Sequence, residues 1–281
     1  MKRERSSKKL KIYFSIVIYF FFSVAFAFAD DIKPITHSFE IGLETILFDY
    51  EEEDNTFNMS IDGPMYGLHG GYAFHAENKI MIGVSLEYLF GDLEYENVRR
   101  DGTSLSADSD DWIVEFRGLV GYDFDFGGRH VVTPFIGFGY RYWNDDVDTM
   151  GAYEREIEYW YSPIGIKTVS PLSDDWTWGV GVEYDLFLGG KVKSHFSDVL
   201  AGYNDPEVDL DLGDGYGLRL SLHFRRAFNK HYALSIKPYI RYWNIDRSSI
   251  ETLNYYGAPI LYIWEPENET TAYGLRLSFE F

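Results

Sequence analysis

The 281-residue chain contains no cysteine, so no disulfide holds its fold together, and proline is sparse at nine residues. Beyond residue 29 no stretch approaches the ~18 to 20 consecutive apolar residues of a spanning helix. Basic residues are also in short supply: 25 Lys and Arg stand against 45 Asp and Glu, a net charge of −20. So large an excess of acid argues against nucleic acid and other polyanionic partners. No EF-hand, His-x-x-x-His pair or Gly-rich nucleotide loop occurs, and Gly127-Gly128 and Gly189-Gly190 read as strand ends.

What is present begins at the amino terminus. Residues 1–11 hold six Lys or Arg and one Glu, and an uncharged, mostly apolar run from Ile12 ends in Ala27-Phe28-Ala29 before Asp30. A basic n-region, an apolar h-region and an A-x-A site make a Sec signal peptide. The expected organisation is therefore a cleaved segment 1–29 and one domain 30–281 of about 252 residues, with net charge near −25. An exported chain with no spanning helix is either soluble in the periplasm or a β-barrel in a membrane.

Aromatic content separates these two. Phe, Tyr and Trp make up 19% of the chain, with 23 Tyr and 22 Phe, and barrels place such rings at both lipid interfaces. The final nine residues carry the pattern most clearly. Tyr273, Leu275, Leu277, Phe279 and Phe281 alternate with Gly274, Arg276, Ser278 and Glu280. That is the period of a strand with one apolar and one polar face. An Arg and a Glu on the polar face suit a wet lumen better than a sandwich core. This ending resembles the carboxy-terminal strand of Gram-negative outer-membrane β-barrel proteins. The resemblance implies that the barrel assembly machinery reads Tyr273, Phe279 and Phe281.

Ten alternating segments follow along the chain, at roughly 36–49, 64–75, 80–91, 111–125, 130–143, 155–167, 175–189, 215–226, 231–245 and 271–281. The connections between them alternate between short turns and long acidic stretches at 50–63, 92–110, 144–154, 190–214 and 246–270. The predicted fold is all-β: a closed antiparallel up-and-down transmembrane β-barrel of about ten strands, with eight or twelve left open. The period slips around Tyr159-Trp160-Tyr161-Ser162, and 208–212 and 260–264 are candidates to extend hairpins above the membrane. Tyr216–Phe224 matches Tyr273–Phe281 at seven of nine positions, and Arg-Tyr-Trp-Asn occurs at both 141–144 and 241–244. Both echoes read as reused hairpins.

With the large apolar side chains facing lipid, the inner face carries Glu40, Glu44, Glu87, Glu115, Arg117, Arg141, Glu183, Asp185, Arg219, Lys237, Arg241, Arg276 and Glu280, with His69 and His223. Acids and bases nearly balance. Opposed charges in a lumen of about ten strands are expected to pair across it as a plug, since an uncompensated one costs several kcal/mol.

Catalytic patterns are thin. The chain matches the omptin proteases in size, but none of its seven His has an Asp two residues before it. His195-Phe196-Ser197 resembles the His-x-Ser of outer-membrane phospholipases and lipid A deacylases, with Glu207 and Asp209, 12 and 14 residues past His195, as candidates for the orienting acid. The phospholipase pattern continues Ser-Asn-Gly, whereas this chain reads Ser197-Asp198-Val199. Residues 179–198 and 265–271 resemble small proteobacterial outer-membrane barrels without assigned activity. No cofactor is expected, and the acidic loops are the place where Ca²⁺ or Mg²⁺ would gather. The expectation is a non-enzymatic, porin-like surface barrel of the bacterial outer membrane with a largely plugged lumen. Its partners would be outer-membrane lipid and lipopolysaccharide, with a narrow pore or a lipid hydrolase as the alternatives.

Overall fold

Strict alternation commits the chain to strands, and strands in a membrane must close on themselves because an open edge would leave backbone groups unpaired in hydrocarbon. The computed structural model, which describes residues 37–53, 57–99, 101–127, 130–211 and 213–281, shows that closure. Ten long strands form the wall: β1 (His37–Glu53), β2 (Phe57–His75), β3 (Ile80–Arg99), β4 (Ser104–Tyr122), β6 (His130–Val147), β7 (Arg155–Pro171), β8 (Trp176–Ser194), β10 (Gly215–Ala227), β11 (Ala233–Ile245) and β14 (Asn268–Glu280). Four short strands accompany them: β5 (Phe124–Phe126), β9 (Glu207–Leu210), β12 (Glu251–Tyr255) and β13 (Ala258–Ile263). Each long strand pairs antiparallel with its neighbours, β8 pairs with β10, and β14 pairs with β1 to shut the cylinder. Among the described residues there is no α-helix, only a 3-10 turn at Phe196–Asp198. The proposed signal segment lies outside the described residues.

The outward faces form the lipid belt. Ile41, Leu43, Ile82, Leu86, Phe116, Ile136, Val182, Leu218, Leu275 and Leu277 are all exposed, while Arg219 and Arg276 beside them are buried. Two rings of aromatics bound the belt. On one rim Trp112 stacks on Tyr142, and Tyr216 lies between Tyr184 and Tyr242. On the other Phe39 packs on Tyr72 and Phe281, and Tyr232 on Phe279. Short turns leave this second rim, which is therefore the periplasmic one.

Two segments expected to be loops are strand. β1 and β2 pair from His37↔Phe74 to Glu53↔Asn58, and β3 and β4 pair from Ile80↔Tyr122 to Val98↔Ser104. Residues 50–53, 57–63, 92–99 and 104–110 thus carry the wall beyond the outer aromatic ring. The reason is an inversion of polarity without a change of period. Above the ring Tyr50, Ile61 and Leu93 point inward and are buried, while Asp49, Asp62, Asp92 and Asp110 point outward. A wall standing in water needs charge outside and apolar groups within, the opposite of the lipid-facing stretch. The two candidate hairpin extensions are also strand: β9 pairs with β8, and β12 with β13.

The apparent slip at 159–162 has a local cause on the facing strand. Trp160 lies opposite Gly189 but Tyr161 lies opposite Phe187, so Leu188 is an extra residue in β8. This bulge lets Phe187 and Val192, an odd number of residues apart, both be buried inside. Gly189 carries its unusual backbone at φ 145°.

Candidate functional site

The interior is built in three storeys. The lowest, on the periplasmic side, is ionic. Arg219 on β10 donates from Nε to Asp185 at 2.6 Å and from Nη1 to Glu115 at 2.7 Å. Arg241 on β11 holds Glu87 with both Nη atoms at 2.5 Å. Arg276 on β14 reaches Glu44 at 2.9 Å and Glu87 at 2.6 Å, and Arg117 on β4 holds Glu183 at 2.5 Å. The Tyr239 hydroxyl donates to Glu44. Arg219–Glu115, Arg241–Glu87, Arg276–Glu87 and Arg117–Glu183 reach across the lumen, whereas Arg219–Asp185 and Arg276–Glu44 tie neighbouring strands. Glu280 sits apart near the periplasmic rim, bonded by Arg225 at 2.5 Å with His223 3.7 Å away.

Two residues assigned from sequence to this network do not pair in it. Arg141 is 4% exposed with no carboxylate within 4.0 Å among the described residues, and its guanidinium lies 6.0 Å from the Phe48 ring. Lys237 likewise has no ion pair among the described residues and faces a cavity of about 230 Å³. Counting opposite charges on one face predicted balance, but the distances that decide pairing depend on strand stagger around the barrel.

The middle storey is aromatic. Phe48 and Tyr50 meet Trp143 edge-on at 5.2 and 4.8 Å. Trp243 contacts Tyr161 at 5.1 Å and Tyr159 at 5.8 Å, and Tyr159 reaches Phe187 at 5.5 Å. Met65, Leu89, Leu93, Ile113 and Ile157 fill between them, all 2% exposed or less. Room comes from glycines on the inner face: a Cβ at Gly139 would fall 2.1 Å from the Tyr161 ring, and one at Gly274 2.0 Å from Tyr239. The repeated Tyr-Gly-Leu therefore has a physical sense: Tyr273 faces out at the ring while Gly274 admits an aromatic from the neighbouring strand. Sequence reasoning missed this layer. Its signal was present in the Tyr-Trp pairs at 142–143 and 242–243, where one ring must face inward.

The upper storey stands outside the lipid belt. Arg155 at the outer end of β7 donates to Asp145 at 3.0 Å, to Glu52 at 2.5 Å and to Glu265 at 3.1 Å. Tyr50 donates to Glu52 at 2.6 Å, and Trp143 Nε1 to Asp111 at 2.6 Å. Three buried carboxylates thus share one cation, with Asp111 held beside them by Trp143. Burial, then the Glu52 charge, pushes Glu265 up to about 8, and burial, then the Asp145 charge, pushes Asp111 up to about 8. Burial likewise raises Asp145, while its carboxylate partners outweigh desolvation and keep Arg155 fully charged. A cleft of about 590 Å³ opens above Glu52, Asp145 and Arg155, walled by Phe57, Tyr95 and Tyr153 among others.

His195, Ser197 and Glu207 share the outer loop region but do not form a relay. His195 Nε2 bonds Glu156 at 2.7 Å, the Ser197 hydroxyl donates to Asp205 at 3.1 Å, and Glu207 pairs with Lys191. Two sets of groups have ligand atoms within 4.8 Å of one another: Glu154, His195 and Asp198, and Glu44, His69 and Glu87. In the second, Arg276 and Arg241 already supply the positive charge. Outside, carboxylates face each other across strands at Asp49↔Asp62, Asp92↔Asp110 and Asp110↔Asp146, an arrangement that repels without counterions.

Residues 14–224, about three quarters of the chain, match the family described as outer membrane protein beta-barrel domain. The chain belongs to this family. Its location is the bacterial outer membrane. Among solved structures it is similar to the outer membrane protease OmpT of Escherichia coli, at 9% identity and TM-score 0.65, over 90% of this chain and 98% of that one. It is also similar to OprG of Pseudomonas aeruginosa at 11% identity and TM-score 0.38, over 88% and 96% of the two chains. At such identities the likeness is one of fold. No curated protein matches the sequence.

Proposed function

We propose that this family member is a non-conducting barrel whose role lies at the cell surface, in the acidic extension it raises above the outer leaflet. The observation carrying this reading is the aromatic layer from Phe48 to Trp243 lying over the cross-lumen arginine pairs. Water and ions passing through would have to displace fully buried Tyr50, Trp143, Tyr161 and Trp243. Ion pairs alone leave hydrated gaps, whereas a close-packed apolar layer leaves none. In planar bilayers the folded protein is expected to add no discrete conductance steps, and reproducible steps would establish a narrow pore instead. The lipid-hydrolase alternative lacks an activated nucleophile, because Ser197 donates to Asp205 and not to His195. The fold shared with OmpT does not by itself carry that protein's activity, and the rim acids support a structural reading: Asp111 and Asp145 are served by Trp143 and Arg155, with no histidine bonded to either among the described residues. Outer-membrane lipid and lipopolysaccharide surround the belt, and the assembly machinery engages Tyr273 and Phe279 on the outward face of β14 together with Phe281 just past its end.

A further inference from the structure

The cavity of about 230 Å³ in the lowest storey has a feature the ionic network does not need. Its wall includes Arg117, Lys167, Lys237 and the hydroxyl-bearing Ser85 and Ser221. Every arginine facing it holds a carboxylate, yet neither lysine has one within 4.0 Å among the described residues. The acids nearest in charge are already engaged. Glu40 bonds His69 at 2.5 Å, and Asp123 bonds His75 at 2.5 Å and Thr133 at 2.6 Å. Two ammonium groups from separate strands, β7 and β11, therefore line one confined space without a carboxylate of their own. Leaving a partly buried ammonium uncompensated costs several kcal/mol, so a fold that keeps two of them facing a cavity favours an anion between them.

We propose that this basin binds a small oxyanion of the phosphate or sulfate class, admitted from the periplasmic side and stopped by the aromatic layer above. Lys167 and Lys237 supply the charge-assisted contacts, Arg117 lends its field while holding Glu183, and the Ser85 and Ser221 hydroxyls donate to the remaining oxygens. Chloride would satisfy the charge but not the several donors. The site does not depend on whether the barrel conducts.

The test uses the folded full-length barrel in detergent micelles, with heat-modifiable migration confirming folding of every variant. Inorganic phosphate and sulfate are titrated calorimetrically at constant ionic strength, with chloride as the control. Saturable binding of one phosphate or sulfate per chain is expected in the parent. It should weaken at least tenfold in Lys167→Met/Lys237→Met and persist in Lys167→Arg/Lys237→Arg. Absence of saturable heat in the parent overturns the proposal, as does a folded double-Met variant that binds as well as the parent.

Discussion

Replacing Arg155 by Met tests the rim cluster in a way that pH makes diagnostic. Arg155 is 6% exposed and is the only cation among the described residues within ion-pair distance of Glu52, Asp145 and Glu265. Removing one partner of a buried pair costs about 3–5 kcal/mol, because the charge left behind has lost both water and counterion. Proton uptake offsets that cost. Glu265 and Asp111 already sit near 8 in the folded rim, against about 4 in an unfolded chain. Their sign is that of raised carboxyls: the folded state keeps protons that the unfolded state surrenders. Rim stability is therefore highest below about pH 4 and declines as pH rises towards 8. Asp145 is already raised by burial against the opposing Arg155 charge, so without Arg155 it takes up a proton at pH 5 and recovers much of the loss. The expected penalty is about 3–5 kcal/mol at pH 8 and no more than half of that at pH 5. Urea unfolding of barrels in phospholipid vesicles reads it globally, and hydrogen exchange of the outer amides of β1 and β7 reads it locally. A penalty equal at both pH values, or below about 1 kcal/mol at pH 8, would refute the shared-cation account.

Two further outcomes follow from the same architecture. Trp143→Ala combined with Trp243→Ala, at about 3–5 kcal/mol each, should hollow the aromatic layer and produce conductance steps that the parent lacks. A folded double variant that stays silent would mean that the arginine pairs alone close the lumen. Removing Phe281, whose ring stacks on Phe39 and whose backbone closes the β1–β14 seam, should lower the yield of assembled barrel in cells while refolding into detergent proceeds as in the parent. Equal cellular yields would dismiss its part in assembly.

Much of the wall was legible because the strand period is local. Each of the ten segments overlaps a long strand, and the carboxy-terminal alternation from Tyr273 to Phe281 translates directly into Leu275 and Leu277 on lipid and Arg276 inside. Reading outward polarity as loop failed at 50–63 and 92–110, since Met59, Ile61 and Leu93 keep the same period with the apolar face turned inward. A period of two says that faces alternate; it does not say which face meets lipid, and the answer changes at the outer aromatic ring. The aromatic residues hid this change, because Trp160 facing out and Tyr159 and Tyr161 facing in look alike in sequence.

The charge network shows a deeper limit. Arg219 pairs with Glu115 across 104 positions of sequence, and Arg276 with Glu87 across 189. Which inner-face Arg meets which Glu depends on how far each strand is staggered past the next, a quantity summed around the whole cylinder. One extra residue, Leu188, shifts that sum for everything above it on β8. Charge balance along the inner face is thus a property of composition, while pairing is a property of closure. Arg141, Lys167 and Lys237 are where the two part company. Arg141 lies buried with its guanidinium over the Phe48 ring and lines no part of the lowest cavity, but the two lysines face that cavity from β7 and β11, and it is there that the barrel has capacity for a ligand its own side chains do not supply.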